Sequence, residues 1–168
     1  MSDKAKTKTV LGGGGDTTPS TSPFALRKKA EHVLSEESAQ EQVLEFLEYY
    51  DIDVEKIPKD ENGSNSIERA LKQLVEYIRR GSVEMGRDGD QKMKVTVMLS
   101  KGDTVIEFGE LGAKHKLAMD RASKTGGNYE RIYALMASLA GLPTGAIEKL
   151  PARDLAMVEI LGMVFLAA

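Results

Sequence analysis

The chain of 168 residues has no cysteine. Disulfides, thiolate nucleophiles and cysteine-ligated zinc are therefore excluded, and an intracellular setting is the expectation. Histidine is nearly missing as well: His32 and His115 are the only two. They alone ordinarily titrate near neutral pH, and neither has a second histidine at metal-ligand spacing. Aromatic residues make up only 5% of the chain, so aliphatic side chains and methionine must fill any core. Long apolar runs are absent too. The greasiest segment, Ile160 to Ala168, is shorter than the roughly 20 residues that cross a bilayer. The opening stretch MSDKAKTKTVLGGGG lacks the apolar centre of a signal peptide, so no membrane association or export is expected. Nor is there an excess of positive charge. The net charge is −3, and Arg27-Lys28-Lys29 and Arg79-Arg80 each lie beside acidic residues. That balance argues against a nucleic-acid partner, whose electrostatic footprint is basic.

What is present is ordinary in bulk, with 41% hydrophobic and 29% charged residues. The length suits one domain, or a small domain with a companion subdomain. Residues 1–22 read as a disordered arm, because GGGGDTTPSTSP has little to bury against the entropy of ordering. The four glycines do not form a phosphate-binding loop, since Asp16 stands where a Lys-Ser/Thr helix start is needed.

Residues 23–81 read as an acidic helical subdomain. Ser35 can cap a helix with Val43, Leu44, Leu47 and Tyr50 on one face, and Ser38 with Glu41 offers an alternative start. Asn65 and Glu68 have capping-box spacing ahead of Ile67, Leu71, Leu74, Val75 and Ile78, with Gly81 as the stop. The acids Asp51, Asp53 and Glu55 lack the glycine and closing glutamate of an EF-hand and suit an exposed extended stretch.

The period changes at residue 82. Met93, Val95, Val97 and Leu99 alternate with Lys92, Lys94 and Thr96, the mark of a half-buried strand. Asp88-Gly89 and SKGD at 100–103 suit turns on either side. A three-stranded meander of SVEMG, KMKVTVML and TVIEF is the expectation, packed on helices because a ribbon alone is marginal. Helices follow over Glu110 to Ser123, around Tyr129 to Leu139, briefly near Ile147, and from Pro151 to the end. The predicted fold is α+β: an amino-terminal helical region, a small antiparallel β-meander and a carboxy-terminal helical bundle. Residues 82–168 form its ribbon-plus-helices domain.

No nucleophile elbow, Walker or dinucleotide pattern is present. His32, among Lys29, Glu31 and Glu36, suits a solvated helix face. His115, between Lys114 and Lys116, suits a surface or boundary position. A non-enzyme with no cofactor and no metal is the expectation. The interest lies in the closing segment, where the last nine residues are eight apolar side chains and a glycine. Such a helix is either core or contact surface, and methionine recurs on adaptable binding surfaces. On the contact reading, Leu155, Met157, Val158, Leu161, Met163, Val164 and Phe165 form a partner-binding face.

The order of segments also carries a resemblance. It runs from Ile106-Glu107-Phe108-Gly109-Glu110-Leu111, through Leu139-Ala140-Gly141-Leu142-Pro143, to Ile147, Leu150, Asp154 and Leu155. Over residues 92–168 this pattern resembles the tail assembly chaperones of long-tailed bacteriophages, the Mu-like and P2-like tail assembly proteins. The resemblance implies a protein that binds the tape-measure protein, keeps it soluble and helps recruit tail tube subunits in the bacterial host cytoplasm. It also implies absence from the finished particle. The competing expectation is a structural component of a phage tail or related contractile injection particle. Self-association into a homo-oligomer is compatible with either.

Overall fold

In a computed structural model of the chain, the described residues are 33–59, 63, 65–101, 104–124 and 126–168. The arm at 1–22, the basic cluster at 27–29, His32 and parts of the turns at 58–65 and 100–103 lie outside them.

Helix α1 (Glu36–Tyr49) starts at Ser35, whose side chain accepts the Ser38 N–H, so the nearer of the two candidate caps is used. Its buried stripe is Ala39, Val43 and Phe46. Leu44, expected on that face, is 56% exposed, because the inward arc is set by Ala39 one turn earlier. The helix ends with Asp51 in a left-handed conformation (φ 53°), and the Ile52 N–H reaches back to the Leu47 carbonyl. The acids that follow are exposed but do not form one extended stretch, since Asp53 is extended and Glu55 lies in a 3-10 turn. Asp53 caps a short 3-10 turn at Val54–Lys56 and pairs with Lys56 at 2.8 Å.

Helix α2 (Ser66–Arg79) is capped by Asn65, which is fully buried. The amide oxygen of Asn65 accepts the Ile67 N–H at 2.8 Å, while its nitrogen donates to the Val54 carbonyl at 3.1 Å. One side chain thus closes a helix and pins the preceding loop. Gly81 (φ 67°) supplies the left-handed stop, with the Ser82 N–H bonded to Tyr77 O.

The sheet is an antiparallel meander in the order β1 (Val83–Arg87), β2 (Met93–Met98), β3 (Val105–Phe108). Period-2 alternation sends Val83, Val97 and Ile106 inward in one row and Met85, Val95 and Phe108 in the next. On the outer face Lys94 pairs with Glu107 at 2.8 Å. The free edge of β1 is blunted by α1, where Gln42 Oε1 accepts the Met85 N–H at 3.0 Å. The β1–β2 turn is wider than an Asp-Gly pair alone would make it. Asp88 Oδ1 accepts from Asp90 and Lys92, and Gln91 takes the left-handed position (φ 62°).

Beyond the sheet come α3 (Ala113–Ser123), α4 (Asn128–Ala140), the short α5 (Thr144–Glu148) and α6 (Ala152–Phe165). The fold is α+β, with helices on both sides of the meander in sequence. Residue 81 marks a change of element type, while the core runs on across it. A single buried cluster joins Ala39, Phe46 and Leu74 to Val95 and Phe108, and on to Leu135, Leu161 and Phe165. Helix α6 packs against both α2 and α4, so the last helix lies between the amino-terminal and carboxy-terminal elements.

That position settles the ambiguity of the closing segment. Met157, Val158, Leu161, Val164 and Phe165 are at most 2% exposed, and Ile160 is 7% exposed. A helix apolar on every side gains most by burial on every side, and α6 finds cover in its own chain. Phe165 meets Phe46 edge-on at 5.1 Å and Tyr50 at 5.9 Å, an aromatic cluster built from both ends of the fold. Gly162 permits the close crossing of α6 over α4, since a Cβ there would overlap Ile132 Cγ2.

Candidate partner-binding site

The partner-binding face expected on α6 is not a surface in this fold. Of its seven residues, Met157, Val158, Leu161, Val164 and Phe165 are core, and Leu155 and Met163 are half-buried. The stickiness of the segment is spent inside the chain. The large apolar residue that stays exposed is Leu166, 39% exposed, just beyond the far end of α6.

There the end of α6 meets α3 and α4 around a small cleft of about 90 Å³. Its walls are Leu111 and Met119 from the α3 side, Leu135 of α4, and Phe165, Leu166 and Ala168. Lys116 borders it and donates to the Ala168 carbonyl at 3.1 Å. Phe165 is the single residue of the expected face that reaches this cleft. The sequence places Leu111 and Met119 on an amphipathic helix over Glu110 to Ser123, but their meeting with Phe165 joins segments far apart in the chain and is not legible from periodicity.

Helix α3 roofs the cleft and packs along α4, with one polar contact buried between them. Its one fully buried side chain among the described residues is His115, 4% exposed, with Nδ1 2.8 Å from Ser138 Oγ of α4. The surface or boundary position expected for His115 is thus corrected to a buried one. The flanking lysines point outward while the imidazole turns toward α4. Burial lowers its pKa below the ordinary histidine value and Lys114 adds to the effect, with the Ser138 contact opposing them. The helix has no side-chain cap at Gly112 and no acidic residue in its first turn, where Lys114 and Lys116 stand against the helix dipole.

The entry to α3 is fixed by two tyrosines of the α1 terminus. Tyr49 donates its phenol hydrogen to Glu110 at 2.6 Å, and Tyr50 Oη accepts the Leu111 N–H at 3.1 Å. The hydrogen bond to Glu110 raises the Tyr49 pKa, and burial raises that of Tyr50. Arg87 completes the corner, 2.9 Å from Glu45 and over the Tyr49 ring at 5.2 Å. On the opposite side of α4, Tyr133 donates to Glu159 at 2.6 Å, a contact that pushes its pKa up to about 12.

These groups arrange backbone and helices; none pairs a nucleophile with a base facing an open cavity. The Asp154 carboxylate, fully buried, accepts from the Ser100 N–H and hydroxyl, each at 2.9 Å. It ties the start of α6 to the end of β2. Among the described residues no group of three or more His, Asp or Glu side chains is placed to hold a metal ion. Within the same residues no helix is long and apolar enough to cross a membrane. The arrangement at the cleft suits capture of an apolar side chain offered by another chain. No protein-family model, curated protein or solved structure matches the sequence or the fold.

Proposed function

We propose that the chain is a non-catalytic tail assembly chaperone of a long-tailed bacteriophage. It binds the tape-measure protein and keeps that protein soluble while the tail tube assembles, in the host cytoplasm. The observation that supports the reading is the apolar cleft where α3, α4 and α6 meet, with Leu166 at its mouth and charged residues on the outer faces. Holding a client requires an apolar recess and a charged remainder, with no reacting groups. The client is what the resemblance over residues 92–168 implies; its Leu139–Pro143 signature closes α4 and its Asp154 anchors the start of α6.

The client contact then moves from the faces of α6 to its end. Co-expression with a tape-measure protein is expected to raise that protein's soluble yield. Leu166→Asp combined with Met119→Asp should remove the effect while circular dichroism stays that of the folded chain. A folded double variant with full effect excludes the cleft as the client site. Mass spectrometry should find the protein in lysate and not in purified particles. A fixed stoichiometry in particles would instead identify a structural tail component.

A further inference from the structure

Helices α1 and α3 carry opposite charge on outward faces of closely similar design. Helix α1 contains Glu36, Glu37, Glu41, Glu45 and Glu48 and no basic residue. Its solvent-facing stripe sets Leu44, 56% exposed, between Glu37 and Glu41 on one side and Glu48 on the other. Helix α3 sets Leu117, 55% exposed, between Lys114 and Arg121, with Lys124 one turn further on. Asp120 shares that stripe and leaves its balance positive. In each helix the leucine stands three or four residues from its charged neighbours, so leucine and charges share one face.

On α1, Glu45 pairs with Arg87 and Glu36 accepts from Gln40. Among the described residues, Glu37, Glu41, Glu48, Lys114, Arg121 and Lys124 take part in no ion pair. A lone exposed leucine is unremarkable on a protein surface. Two of them, each flanked by charges of opposite sign, are complementary surfaces on one molecule. They lie on different helices, and the α1 terminus is tied to the entry of α3 through Tyr49 and Glu110. Both faces therefore sit on helices joined at one corner.

We propose that the chain self-associates by docking the acidic face of α1 on the basic face of α3 of a second copy, with Leu44 and Leu117 meeting at the centre. Two unlike patches make a contact that either closes reciprocally as a dimer or repeats from copy to copy. Charge at the rim guides the encounter and the leucines supply the buried centre. The proposal does not depend on the chaperone reading, because it invokes neither the cleft nor a client.

Sedimentation velocity tests it on the full chain. At about 50 mM sodium chloride the protein should sediment as a dimer or larger species, shifting toward monomer at about 0.5 M as the rim charges are screened. Leu44→Glu and Leu117→Glu should each give monomers at low salt with unchanged circular dichroism. An equimolar mixture of the two variants retains one intact acidic and one intact basic face, so a two-chain species should reappear. For a reading that does not rely on the leucines, Glu41→Lys with Glu48→Lys should also yield monomer. The proposal fails if the wild-type chain is a monomer at low salt. It fails equally if association strengthens with salt, or if it survives the substitutions.

Discussion

Single residues decide how closely the last helix can approach its neighbour. Gly162 stands where α6 crosses α4, and any Cβ would overlap Ile132 Cγ2 and crowd Met136 Cγ at 3.3 Å. Both neighbours are buried, with Ile132 5% and Met136 0% exposed, so neither can swing away cheaply. Gly162→Ala is accordingly expected to lower stability by about 1–3 kcal/mol, the usual cost of overpacking, despite the better helix propensity of alanine. Adding Ile132→Ala removes the opposing methyl, so urea denaturation of the double variant should show a loss smaller than the sum of the two single losses. At Leu44 the residue scale also explains a misreading. Its hydrophobicity argued for the inner face of α1, yet Ala39, Val43 and Phe46 already fill that arc. Periodicity alone does not rank two overlapping stripes, and the small Ala39 is a weak signal beside a leucine.

Among the elements, α3 buries a titratable side chain in its contact with α4. Its first turn carries lysines where the helix dipole favours acids, and its inward residues other than His115 are only half-buried. Docking on α4 therefore includes the buried His115–Ser138 contact alongside the packing of the two helices. The folded-state pKa of His115 lies below its ordinary 6.5 through burial and then Lys114. The unfolded chain consequently binds the proton first as pH falls. The stabilisation from neutral His115 is complete above pH 6.5 and is lost as pH drops from there through the depressed folded value. Amide exchange over residues 113–123, corrected for intrinsic rates, should accelerate relative to α4 across that window. His115→Gln keeps a partner for Ser138 and does not titrate, so the pH dependence should vanish in it. Equal loosening of α3 in both proteins would assign the effect elsewhere. Nothing in the order of residues announces this role, since Lys114 and Lys116 on either side give His115 the look of a surface position. In a helix, adjacent residues point about 100° apart, so charged neighbours say little about the residue between them.

Across the whole molecule, α6 acts as the inner member that joins both ends of the chain. It packs on α2 and α4 at once, and Phe165 meets Phe46 of α1 edge-on. Leu161→Asp or Phe165→Asp would therefore place a carboxylate in a site with 0% or 2% exposure. A loss above about 4 kcal/mol is expected, enough to unfold a domain of ordinary stability, so thermal melts should lose their cooperative transition. Folded variants at either position would mean that α6 is less enclosed than its packing implies. The same substitutions cannot report on client binding, because they would remove the fold that carries the cleft. The exposed Leu166 and half-buried Met119 serve that purpose.

Local sequence determined the elements of this protein. Ser35 and Asn65 as helix starts, Gly81 and Gly141 as stops, and the alternation from Met93 to Val97 all act within a few residues, through backbone donors that need partners and left-handed positions that favour glycine. From these the α+β order was legible. Tertiary structure alone decided which apolar surfaces face one another: that α6 lies inside, that His115 turns toward Ser138, and that Leu111, Met119 and Phe165 share a cleft. The reason is that the hydrophobic effect rewards area removed from water regardless of which chain segment covers it. An apolar helix thus declares in its sequence that it needs cover, and only the packing of distant elements says where the cover comes from.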